Sequence, residues 1–171
     1  MNTSCVGMLA RYNRWANKRM YDAVATLPDG EATKERNPSE RNYNFKNIVH
    51  TLNHNHVIGL IWQAHLEGRQ HGFNTRNTTT YPPLDQLWRA QQEMDEWYIT
   101  YSDRLSDAAL KEQVSFTLVG GNKGVMTREA VLLHIVNHAT YHRGFIADMF
   151  YQIPASPPTM DLPVYFREPD R

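Results

Sequence analysis

Five of the eight histidines fall into two strings with four-residue spacing: His50 and His54 in one, His134, His138 and His142 in the other. On an α-helix that spacing stacks the imidazoles along one face. Random placement of the same histidines would give about 0.4 such pairs, fewer than the three present. With His134 as origin, His138 and His142 lie roughly 40° and 80° round the helix, among Val131, Phe145 and Met149 on the apolar side. In the other string, Val57, Ile58 and Ile61 flank His50 and His54, while His56 falls off the stripe. Any fold for this chain must therefore bury two histidine-bearing helix faces. A single histidine on such a face is ordinarily a hydrogen-bonded core residue. Burying four or five together costs roughly 1–3 kcal/mol for each unsatisfied group, a cost that one divalent cation shared by two helices removes.

The remaining pattern is also helical. Met8, Leu9, Tyr12, Trp15, Ala16, Met20, Ala23 and Leu27 recur at threes and fours, predicting a first helix over 5–27 closed by Pro28-Asp29-Gly30. A loop through Pro38 follows, then a second helix over 44–66 with Gly68 as its stop. The Asn- and Thr-rich stretch 69–81 reads as connection, ended by Pro82-Pro83. Leu84, Leu87, Trp88, Met94, Trp97, Tyr98, Tyr101 and Leu105 mark a third helix that breaks near Ser106, with a short helical turn over 106–113. Around Gly120-Gly121-Asn122 the chain alternates in part, the signal for a small hairpin and the one strand candidate. Thr127 can cap a last long helix that holds His134, His138 and His142 and runs to Ile153, where Pro154 ends it. The proline-rich stretch 154–171 reads as an extended strap packed on the body through Met160, Leu162, Val164, Tyr165 and Phe166. Four long helices imply an all-α, four-helix bundle in a single domain over 1–171, with a small hairpin before the last long helix.

Charge and cysteine content narrow the function. Lys and Arg equal Asp and Glu at 18 each, so no basic field exists to hold nucleic acid or an anionic membrane. One cysteine, Cys5, excludes an internal disulfide and a Cys-based structural zinc site. With no basic, apolar leader and no membrane-length apolar run, the expected location is cytoplasmic. Asn77-Thr78-Thr79 matches a glycosylation sequon but lacks a secretory context. There is no Glu-x-x-His, as in di-iron bundles, and no H-E-x-x-H, as in zincin proteases. What remains is a mononuclear histidine site suited to zinc, nickel, copper or ferrous iron rather than calcium or magnesium. A bis-histidine haem is a weaker reading of the same residues, marked by a Soret band if present.

Three motifs then carry a resemblance. Y-N-R-W-A-N at 12–17, L-N-H at 52–54 ahead of Trp62, and H-x-x-x-H-R-G at 138–144 resemble the DinB/YfiT-like family of metal-dependent enzymes, the damage-inducible DinB proteins, unrelated to the polymerase sharing that label. The likeness covers nearly the whole chain. It implies an up-down-down-up four-helix bundle, a homodimer and a role in stress response. It also implies one divalent metal (zinc, nickel or iron) on His54, His138 and His142, with His50, His134 and Arg143 supporting the ligands or lining the pocket. The family's H-R-G-Q reads H-R-G-F here, with Phe145 in the Gln place.

Other motifs read as structure. Trp15, Trp62, Trp88 and Trp97 sit at core positions, Asn13 and Asn17 at an interhelical or pocket-mouth position, and Gly120-Gly121 in a turn. The expected function is a metal-dependent enzyme, an S-transferase or hydrolase, in which the ion activates water or a low-molecular-weight thiol towards a small-molecule substrate. The alternative is a non-catalytic, metal-binding stress-response bundle.

Overall fold

The computed structural model describes residues 4–36 and 45–168. Within them lie six helices and one two-stranded antiparallel sheet: α1 (Cys5–Ala25), α2 (Ile48–Leu66), α3 (Leu84–Asp103), α4 (Asp107–Leu110), β1 (Gln113–Thr117), β2 (Lys123–Thr127), α5 (Arg128–Phe150) and α6 (Leu162–Arg167). The protein is therefore mostly helical, with the expected hairpin directly before α5. Among the described residues, no helix is long and apolar enough to cross a membrane.

Local chemistry sets the ends of these elements. Ser4, Asn47, Ser106 and Thr127 each accept a backbone N–H with a side-chain oxygen, which starts α1, α2, α4 and α5. Gly68 ends α2 at φ +69°: its N–H reaches the His65 carbonyl and that of Arg69 the Ala64 carbonyl, closing the last turn. The loop through Pro38 and a helix start at Asn44 lie outside the described residues. Leu27 and Ile153, expected inside helices, lie just beyond α1 and α5 yet still pack in the core. Apolar periodicity reports burial, which outlasts helical hydrogen bonding by a turn.

The hairpin pairs Gln113 with Thr127 through Thr117 with Lys123. Its tip needs Gly120 and Gly121, at φ +107° and +92°, where other residues would be strained. The C-terminal stretch departs from an extended strap: Leu162–Arg167 forms a short helix, because Pro163 falls in the first turn, where its missing N–H costs nothing. It is pinned to α1 by Tyr12 to the Met160 carbonyl (2.8 Å), Trp15 to Glu168 (2.6 Å) and Arg19 to Glu168 (2.5 Å).

Each long helix packs on two others: α1 on α3 and α5, α2 on α3 and α5. Their directions follow from the contacts. Arg11 bonds Asp103 while Asn17 bonds Asp95, so α1 and α3 run opposite. Met94 packs on Gly59, Tyr98 donates to the Gly59 carbonyl and Tyr101 to that of Leu66, so α2 and α3 run together. Trp62 meets His134 while His54 meets His142, so α2 and α5 run opposite. Apolar residues form two main clusters, one around Met20, Ile48, Leu87 and Phe150, the other around Trp62, Met94, Val131 and Ile135. Between them lies a buried polar layer containing Asn13, Asn17, Gln91, Asp95 and Arg143.

Candidate metal centre

Because α2 and α5 run opposite, the string ending at His54 meets the string ending at His142. His54, His138 and His142 each offer a ring nitrogen, and these atoms lie within 4.8 Å of one another; the group contains histidines alone. The Nε2 atoms of His138 and His142 are 3.1 Å apart. Ring centroids are separated by 4.3 Å (His138 to His142), 4.6 Å (His54 to His142) and 5.2 Å (His54 to His138). His54 and His142 are buried and His138 is half-buried.

The tautomer of His54 follows from its partner. Its Nδ1 lies 2.7 Å from the Arg76 carbonyl oxygen, which can only accept, so Nδ1 carries the proton and the lone pair sits on Nε2. A backbone carbonyl holding the far nitrogen is the usual support of a metal-ligating imidazole. That carbonyl is placed by Asn77, which donates to the His50 carbonyl (2.8 Å) and accepts from Asn53 (2.5 Å). Asn53 also donates to the Thr78 hydroxyl at 2.8 Å. Asn77 is 1% exposed, so the side chain a sequon would present is buried in the fold. Sequence reading met Asn77 only as a sequon and Asn53 only as a letter of L-N-H, and gave neither a part in the site.

Burial keeps all three rings uncharged. It is the leading cause that lowers His54 to about 4, His138 to about 2 and His142 to about 4, and neighbouring imidazoles add to the effect. Neutral rings keep their lone pairs, and the buried Nδ1 of His142 has no hydrogen-bond partner among the described residues. Phe45 stacks on His142 at 4.8 Å and on Phe145 at 5.3 Å, and Tyr141 stands edge-on to His142 at 5.0 Å. The position where the resemblance expects Gln is thus part of an aromatic wall.

The other candidates lie around this group. His50 is one turn away, its Nε2 3.3 Å from the Thr78 carbonyl oxygen and its ring beside Tyr81. His134 packs edge-on to Trp62 at 5.0 Å, with its ring 5.7 Å from that of His138. Arg143, 2% exposed, turns away towards α1, where Nη1 donates to Asn13 and Asn17 (both 2.7 Å) and Nη2 to Thr140 (3.0 Å). Asn17 in turn donates to both oxygens of Asp95, which also accepts from Gln91. Asn13 and Asn17 are thus interhelical partners. Trp15 and Trp62 are core residues, as expected, and Trp88 and Trp97 are half-buried beside the core clusters.

A model of the DinB family matches residues 1–171. The chain belongs to the DinB family. It is similar to Protein DinB of Bacillus subtilis (strain 168), 31% identical over 159 residues that span 88% of each chain. In this DinB-family protein, the two motifs that carried the resemblance in α2 and α5 contribute the three converging histidines.

Proposed function

We propose that His54, His138 and His142 bind one divalent transition metal and that the protein is a metal-dependent S-transferase or hydrolase acting on a small molecule. The observation that carries this reading is the convergence of three neutral imidazoles, two buried and one half-buried, within 4.8 Å. A neutral three-nitrogen set suits zinc, nickel or iron. Such an ion would bring a bound water or low-molecular-weight thiol into its ionised form near neutral pH, leaving a nucleophile at the fourth position. The chain's own part is to fix the rings and shape the wall: Arg76 holds His54 by its carbonyl, Phe45 stacks on His142, and Phe145 and Tyr141 extend the apolar surface beside it. His50 and His134 support the pocket from either end, and Arg143 supports α5 from behind. The triad's ring separations of 4.3, 4.6 and 5.2 Å leave no slab for a porphyrin between any two of its imidazoles, which counts against haem. The helix directions support an up-down-down-up four-helix bundle in one domain, for which we propose a cytoplasmic homodimer with a role in stress response.

Purified protein should carry about one metal ion per chain, and His138→Ala should carry almost none, by elemental analysis. Undiminished metal in the variant overturns the ligand set. With metal bound, turnover across a panel of thiols and electrophiles supports the enzyme; none across the panel leaves a metal-binding protein without catalysis.

A further inference from the structure

A second site lies away from the histidine triad. A cleft of about 1100 Å3 opens between the loop that leaves α2 and the β1–β2 hairpin, and none of the three converging histidines lines it. In a chain with equal numbers of acids and bases, every ionisable side chain on the cleft wall is basic: His65, Arg69, His71, Lys123 and Arg128. Glu67 holds Arg69 at 2.5 Å and Glu112 holds Arg128 at 2.8 Å, both carboxylates reaching in from outside the wall. Glu67 takes Arg69 at Nε, which leaves its other guanidinium nitrogens to donate, and Lys123 has no ion pair among the described residues.

One imidazole is arranged as a donor. His71 accepts the Phe73 N–H at Nδ1 (3.0 Å), so its proton sits on Nε2, and His65 stands edge-on to it at 5.3 Å. The apolar part of the wall is flat. Phe116 lies over Gly124, where a side chain would collide with its ring, and is backed by Trp62 at 5.0 Å. Phe73 stacks on His71 at 6.2 Å. Cations and N–H donors beside aromatic faces recognise a particular ligand chemistry.

We infer that this cleft binds a small organic anion, its flat apolar body against Phe116 and Phe73 and its acidic head group held by Arg69, Lys123 and the His71 N–H. Two imidazoles are too few for a metal site of their own, and the balanced charge of the chain excludes a polyanion.

Fluorescence titration of the metal-loaded protein with 8-anilinonaphthalene-1-sulfonate, alongside the uncharged N-phenyl-1-naphthylamine, tests it. The sulfonate should bind at one saturable site, about tenfold more tightly than the neutral amine. The double variant Arg69→Glu with Lys123→Glu, both on the surface, should weaken sulfonate binding about tenfold, and Phe73→Ala about threefold. No saturable binding, equal affinity for the two probes, or an unchanged Kd in the charge-reversed variant overturns the inference. His138→Ala should leave the Kd unchanged; a loss there would put the probe at the triad instead, so this test stands or falls apart from the metal reading.

Discussion

The two sides of α5 carry buried polar groups of opposite kinds. Towards α1, Arg143, Asn13, Asn17, Gln91 and Asp95 answer one another donor for acceptor, so a charged pair sits in the core with its hydrogen bonds met. Towards α2, three imidazoles face one another with lone pairs but no acid among them. A void of about 20 Å3, lined by His138, Asn13, Asn17 and Asp95, separates the two regions. The first arrangement is closed and leaves nothing for a ligand to do. The second is open, with lone pairs that could hold an ion.

The comparison can be broken from the closed side. Arg143→Ala removes the buried cation that balances the Asp95 carboxylate and leaves the oxygens of Asn13 and Asn17 without their donor, so it should cost about 3–5 kcal/mol of stability in urea unfolding. Loss below 1 kcal/mol would show that the layer is not a structural pair. On the open side the matching change acts through position rather than charge. Asn77→Ala frees the loop that carries the Arg76 carbonyl and should weaken metal binding about 10–100-fold in competition with a chelator, while costing about 1–2 kcal/mol of stability. An unaltered metal Kd would remove the carbonyl from the account of His54.

The smallest effect is the most discriminating, because the two regions titrate with opposite sign. The triad histidines have folded pKa values below the unfolded 6.5, at about 4, 2 and 4. In metal-free protein their contribution is therefore present above pH 6.5 and is lost as pH falls towards 4 and, for His138, towards 2. Burial raises Asp95 to about 6, against hydrogen bonds from Asn17 and Gln91 that lower it. Its contribution is therefore full below the unfolded value near 3.8 and is lost as pH rises through about 6. Between pH 6 and 4 Asp95 partly offsets the histidines. Asp95→Asn should steepen the acid-side loss of stability by up to about 1.4 kcal/mol per pH unit; parallel wild-type and variant curves would contradict the assignment.

Much of this contrast was legible in the residues and some was not. The i,i+4 histidines announced two helices meeting at a shared face, since spacing alone sets which side chains stack. Which three of the five converge was legible only through the family resemblance and not from spacing, because His50 and His134 sit on the same stripes as the ligand candidates. Only the offset between α2 and α5 takes them past the cluster, to Tyr81 and Trp62. Nor did Arg143 disclose its partner: Asp95 lies on α3 and is reached through Asn17 on α1, a contact across three helices that no local pattern encodes. The hairpin was readable from its paired glycines. The turn at 162–167 was not, because a proline reads alike at a helix start and in extended chain.

One detail bears on how such a site tolerates mutation. The group that orients His54 is the peptide oxygen of Arg76, while the Arg76 side chain is exposed. The orientation is thus a property of the loop's path and length, not of the letter at position 76. Substitutions there leave the carbonyl in place, whereas inserting or deleting one residue between 74 and 80 would turn the ring away from its two neighbours with every histidine still in place.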